Sequence, residues 1–320
     1  MTVPYLARLA CLSLAAYFLL HTVFAAAVCA VSRRAVRAAE ALRPRDGARL
    51  LLALRLLPAM LALLAVAAIL VPSFLWLEPT ETPEAAGAAC LLAASLGAFL
   101  CLGGLARGLR AAFESRRYTR LFDRLARTER IAGFPVRVVD ARAPLLALAG
   151  VAPPRVVISR GIIDALAPEQ LAAALAHEEA HRRSHDNLTR LALLIAPRLV
   201  PGVRAFSVLE RSWARLAEWA ADEAAVANDP DRRLALADAL IRTVRLGCAA
   251  VPACSLATSL LADPADLQAR VARLLHAPAG RRSGSHCWVA AGFAVAALAL
   301  IAAQPATLYS VHELLEGLMR

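Results

Sequence analysis

The sequence predicts an α+β fold, mostly helical, in which four transmembrane helices carry one compact cytoplasmic domain. Three observations lead there. Four apolar stretches are each about the length that a bilayer core requires. The arginines collect on one side of every crossing. Between the third and fourth stretches, short β-branched runs precede a series of alanine- and leucine-rich helical segments, an order that reads as α+β.

The chain has 320 residues, 59% of them hydrophobic, and a mean hydropathy of +0.57, too apolar for an ordinary soluble domain. The expected spans are about 9–31, 56–77, 85–106 and 287–309, and none contains Asp, Glu or Arg. Gln304 and Pro305 interrupt the end of the fourth. His21 lies inside the first span and is read as tolerated near mid-bundle, not as a functional group. A cleaved signal peptide is the rival reading of the first stretch. It is disfavoured because the basic cluster follows the apolar run instead of preceding it.

All 36 basic side chains are arginine. Arg33, Arg34, Arg37, Arg43, Arg45 and Arg49 fall between spans one and two. The link between spans two and three, EPTETPE, has none. Six more follow span three between Arg107 and Arg124, and Arg281 and Arg282 precede span four. Positive-inside topology then places both termini outside a cytoplasmic membrane, with the 32–55 loop and residues 107–285 in the cytoplasm. The expected organisation is a membrane domain over 1–106, a soluble domain over 107–285, and a fourth span with a short tail over 286–320. The same arrangement accounts for the net charge of +11, so direct nucleic-acid binding is not expected. The seven cysteines contain no CxxC pair, which argues against a zinc ribbon or a thioredoxin-type site.

Within 107–285, Arg110 to Arg130 reads as a basic amphipathic helix leaving the membrane. FPVRVVD and PRVVIS read as strands. A helix is expected from Pro168 to beyond Leu191, since proline suits the first helical position and Glu169 favours a helix N-terminus. Further helices are expected over Val203–Asn228 and in DRRLALADALIRTVRL and DPADLQARVARLLHA.

The first of these helices carries AHEEAHRRSHDN, residues 176–187, which holds three of the seven histidines. His177 and His181 are four apart and project from one helix face, where two imidazoles can reach one zinc ion. Glu178 stands beside the first ligand, placed to take a proton from water. This is the H-E-x-x-H pattern of zinc peptidases. A third ligand is expected, because catalytic zinc keeps three protein ligands and an open position. LAEWAADEAAV offers Glu218 for that role and, one turn on, Asp222 to support a ligand histidine. Glu179 is read as a solvated partner of Arg182 or Arg183.

HEEAH with EWAAD resembles the arrangement of gluzincin-type membrane metallopeptidases. RRSHDN and PPRVVISRGIIDALAPEQLAAALAHEEAH, with the span layout, further resemble the BlaR1/MecR1 antirepressor family, the M56 peptidases. The resemblance implies a cytoplasmic gluzincin-like zinc metallopeptidase domain that binds one Zn2+ per chain through His177, His181 and Glu218. It implies Glu178 as base, with Asp222 and Asp186 in support. His185 has no counterpart and is read as a surface residue. Arg270 and His276 are candidates, by residue type and late position, for steadying an oxyanion. Family sensors continue into a penicillin-binding domain. Here only SVHELLEGLMR follows the fourth span, and no S-x-x-K appears, so acylation by a β-lactam is not expected.

The function expected is hydrolysis of peptide bonds at the cytoplasmic membrane face, the substrate held as an added strand on RVVIS. Expected partners are the lipid bilayer, a protein substrate (a cytoplasmic transcriptional repressor of the BlaI/MecI type or the chain itself) and a second copy of the chain. The rivals are a quality-control protease like the M48 membrane peptidases and a non-catalytic zinc-binding membrane scaffold.

Overall fold

The computed structural model describes residues 5–78, 87–198, 204–247, 256, 258–259 and 264–276. The expected fourth span and Arg281, Arg282, Cys248, Cys254 and Cys287 lie outside these residues.

Three helical stretches are long and apolar enough to cross a membrane: Tyr5–Ala41 (α1), Pro44–Leu77 and Ala88–Leu125. The second is not uniform. Its first part, Pro44–Ala65 (α2), passes through one π-helical stretch at Val66–Leu70 into Val71–Leu77 (α3). The π-turn lies directly before Pro72, which has no N–H to give to the helix ladder. The third stretch, α4 (Ala88–Leu125), continues well past the expected end of its span at Ala106. The start of α1 and the end of α3 meet through a buried Arg8–Glu78 ion pair at 3.3 Å and the Tyr5–Phe74 ring contact. His21 is fully buried and stacks on Tyr17.

Helix α4 stops at Leu125, five residues before the expected Arg130, and the chain turns into β1 (Ala126–Ile131). The ARTERI stretch pairs along its whole length with β2 (Phe134–Val139). Both residues of the intervening turn, Ala132 and Gly133, have positive φ, as a tight hairpin turn requires. Next come β3 (Leu146–Ala149) and β4 (Arg155–Ser159). A two-residue strand, β5 (Thr258–Ser259), completes the sheet in the order β1-β2-β4-β3-β5. Strand β4 pairs parallel with β2 on one side and antiparallel with β3 on the other. RVVIS therefore has no free edge, which overturns the expectation that it takes the substrate as an added strand.

Behind β4 the chain forms a short helix, α5 (Arg160–Ala165), then α6 (Pro168–Ser184), α7 (Asp186–Ile195), α8 (Ala205–Val226), α9 (Pro230–Arg245) and α10 (Pro264–Leu275). Pro168 opens α6, and the Gln170 side chain accepts from the Ala167 N–H at 2.9 Å, closing its first turn. The single helix expected beyond Leu191 is in fact two. His185 adopts a left-handed conformation (φ 56°, ψ 37°) that ends α6, and α7 starts at Asp186. Ser184, Asp186 and Asn187 around it favour such a break, because their short polar side chains compete for backbone bonds. Asn187 uses its amide in this way, donating to the carbonyls of Leu148 and Gly150 at 3.1 and 2.7 Å and pinning the corner to the end of β3.

One core lies between the sheet, α6 and α9, and includes Val138, Leu148, Ile158, Leu175, Leu236 and Leu240. A second joins α7 and α8 to the helical hairpin of α1 and α2 through Val28, Leu51, Leu193, Leu209, Trp213 and Leu216. Arg55 of α2, 1% exposed, donates to Glu210 of α8 at 2.8 Å and to the Ala196 carbonyl at 3.2 Å, and lies over the Phe206 ring. Gly104 and Gly108 of α4 admit Ile195 so closely that a Cβ on Gly104 would sit 2.2 Å from the Ile195 carbonyl oxygen. The α6–α8 layer is thereby fixed at the same end of the long helices as the arginine-rich α1–α2 corner.

Candidate metal centre

The break at His185 and the docking of α8 bring the charged residues of four helices, α6, α7, α8 and α10, together. On α6, His177 and His181 are 0% and 1% exposed. Their Nε2 atoms point at one another across 3.1 Å. Glu218 faces them from α8, with Oε2 3.5 Å from His177 Nε2 and Oε1 3.6 Å from His181 Nε2. Ligand atoms from these three residues all lie within 4.8 Å of one another.

Each histidine is backed on its other nitrogen. His181 Nδ1 is 2.5 Å from Asp186 Oδ2, a contact made by the first residue after the helix break. His177 Nδ1 lies 2.9 Å from Asp222 Oδ1, though without the alignment of a hydrogen bond. Asp222 is in turn gripped by Arg270 of α10, which donates from Nε to Oδ2 at 2.8 Å and from Nη2 to Oδ1 at 2.7 Å. The remaining nitrogen of that guanidinium, Nη1, is 3.2 Å from Glu218 Oε2.

Burial alone would favour neutral groups here, and the charges around each residue decide the outcome. Burial pushes His177 down, but the carboxylates of Asp222 and Glu218 reverse this and leave it raised. His181 goes the same way, to about 10, through Glu218 and Asp186. Burial pushes Asp222 up, but Arg270 outweighs it and holds the carboxyl at about 2. Glu218 lies well below the usual carboxylate range, because His181, His177 and Arg270 overcome its burial. Glu178 differs: burial dominates, and its carboxyl is raised.

A cation fits this arrangement. Both oxygens of Glu178 and both of Glu218 are buried with no hydrogen-bond donor aligned on them, an expensive state for a carboxylate. Two imidazole nitrogens at 3.1 Å are near the roughly 3.3 Å that separates two ligand atoms of a tetrahedral zinc. Two imidazoles and one carboxylate also form a donor set known from catalytic zinc. A cavity of about 420 Å³ reaches Glu218 and Arg270 from outside and is bordered by Arg190, Arg211, Arg215 and Asp266.

The structure thus gathers His177, His181, Glu178, Glu218, Asp222, Asp186 and Arg270 at one place. His276 stays outside it. It is exposed beyond the last turn of α10, with Nδ1 2.9 Å from the Ala272 carbonyl. Glu179 bonds to both Arg182 and Arg183, but its side chain is only 12% exposed, less solvated than expected. Arg190, 3.9 Å from Glu218 and over the Trp213 ring, is a neighbour that sequence reasoning missed. It lies in a long run of arginine, leucine and alanine that gives no local signal.

Residues 113–244 match the family model of Peptidase family M48. The match covers less than half of the chain. It runs from within α4 to within α9 and includes both histidines, Glu178, Glu218 and Asp222. It indicates a metallopeptidase, and M48 peptidases are zinc metalloproteases. No curated protein and no solved structure matches the chain.

Proposed function

We propose that this chain is an integral-membrane zinc-dependent endopeptidase working at the cytoplasmic membrane face. The observation that carries the reading is the convergence of His177, His181 and Glu218 beside a buried Glu178 with no partner for either oxygen. His177, His181 and Glu218 would hold a zinc ion, which would supply Lewis acidity toward a carbonyl oxygen and a water. Glu178 takes the proton of the attacking water and hands it to the leaving amine. Its raised pKa suits both halves of that transfer. Asp222 and Asp186 orient the two imidazoles and keep them basic. Arg270 has a carboxylate partner for each of its three nitrogens, so its part is to hold Asp222 and Glu218 in place rather than to reach a substrate oxygen. Peptide approaches through the cavity beside Glu218.

The match over 113–244 favours a physiological setting like that of the M48 membrane peptidases, which is quality control of membrane proteins. Cleavage of a BlaI/MecI-like repressor, or of the chain itself, is the second setting, supported by the RRSHDN corner and the layout of the spans.

Purified full-length protein, assayed on casein with and without Glu178→Gln, tests the activity. The proposal expects hydrolysis by the wild type and none by the variant, with zinc retained in both. Zinc binding without hydrolysis by the wild type would leave the scaffold reading in its place. Comparing the proteomes of wild-type and Glu178→Ala cells then separates the two settings. Many accumulating membrane proteins point to quality control, and one persisting repressor points to signalling.

A further inference from the structure

A second pocket, separate from the cavity beside Glu218, lies where the α1–α2 corner meets the α6–α7 break. It encloses about 330 Å³. Arg45 and Arg49 of α2 form one wall, Arg183 and Asp186 flank the break, and Trp213 of α8 forms another wall.

Its arginines outnumber its acids three to one. Arg45 and Arg49 are exposed and form no ion pair among the described residues. Arg183 gives its Nε to Glu179, and its two terminal nitrogens have no partner among the described residues. By contrast, Arg55, Arg198 and Arg215, all close by, each pair with a carboxylate. The one acid in the pocket, Asp186, has Oδ2 turned to His181 at 2.5 Å. Three arginines thus line a space whose one carboxylate already faces His181.

The position of the pocket narrows the ligand. Arg49 precedes the apolar run that begins at Leu56 by seven residues, about 10 Å of helix. That places the guanidinium groups in the headgroup layer adjoining a hydrocarbon core of about 30 Å. Basic pockets among helices at this depth recognise anionic headgroups, and a phosphate oxygen is the acceptor that arginine suits best. We propose that Arg45, Arg49 and Arg183 form a binding site for the phosphate headgroup of an anionic phospholipid. The site does not depend on the catalytic assignment, only on the chain crossing a bilayer.

The test is native mass spectrometry on the full chain in detergent, titrated with phosphatidylglycerol, phosphatidylcholine or inorganic phosphate. The Arg45→Gln/Arg49→Gln double variant is set against Arg33→Gln/Arg34→Gln, which removes equal charge from exposed positions nearby. The expected result is selective binding of phosphatidylglycerol by the wild type, weakened about tenfold or more in the pocket variant and unchanged in the control. Arg183→Gln, on the opposite wall, carries the same expectation, so misfolding of one variant leaves the test standing. Equal losses in the pocket and control variants would overturn the proposal, since they reduce the effect to general charge. Equal affinity for the two lipids would overturn it as well. So would inorganic phosphate binding as tightly as the lipid, which would assign the pocket to a soluble anion.

Discussion

Arg270 of α10 holds Asp222 of α8 through two parallel hydrogen bonds of 2.8 and 2.7 Å, and the two residues are 3% and 4% exposed. The pair links the last described helix to the residue behind His177. Removing one partner of a buried ion pair leaves the other uncompensated, at a cost of about 3–5 kcal/mol. Arg270→Leu is therefore expected to lower the unfolding free energy by that order and to loosen the metal centre. Arg270→Lys should recover little, since a single ammonium cannot reproduce the bidentate grip. Denaturation of detergent-solubilised protein checks both.

Asp186 supports the second histidine as Asp222 supports the first. Asp186→Ala should weaken zinc binding by about 10- to 100-fold while leaving the three ligands in place. Competition with a zinc-binding dye measures this. Undiminished affinity would reduce Asp186 to a helix-capping residue.

Neither oxygen of Glu178 has a hydrogen-bond partner, and the role proposed for it is proton transfer. Glu178→Gln should keep one zinc per chain and slow peptide hydrolysis by at least about 10²–10⁴-fold. Loss of metal together with activity would instead place Glu178 among the ligands.

The Arg55–Glu210 pair tests the docking of α8 on the membrane helices. Glu210→Ala alone leaves a guanidinium that is 1% exposed facing a single carbonyl, and should destabilise the protein by about 3–5 kcal/mol. Arg55→Leu combined with Glu210→Leu should recover most of that loss. A double-mutant cycle on thermal unfolding reads the coupling directly.

The parts of this protein that follow one-dimensional periodicity were legible before the fold was seen. Residues four apart on a helix share a face, so His177 with His181 and Glu218 with Asp222 could be paired from spacing alone. The three helices long and apolar enough to cross a membrane were equally plain from length and the absence of charge. The break at His185 was missed because alanine and leucine run on either side of it, and the polar corner that causes it also reads as a solvated helix turn. Strand β3, LALA, is indistinguishable in composition from the helices around it, and its identity comes from pairing with β4 and β5. Arg270 reaches Asp222 only because α10 returns across α8, 48 residues away in the chain. No local pattern encodes that approach.

The central claim is that His177, His181 and Glu218 hold one zinc ion, and metal analysis of the purified full-length chain tests it most directly. The account predicts one zinc per wild-type chain, removable by a chelator and restored on addition of zinc. It predicts almost none in His181→Ala and Glu218→Ala proteins that still fold. Wild-type protein without zinc, or variants that keep it in full, would contradict the account.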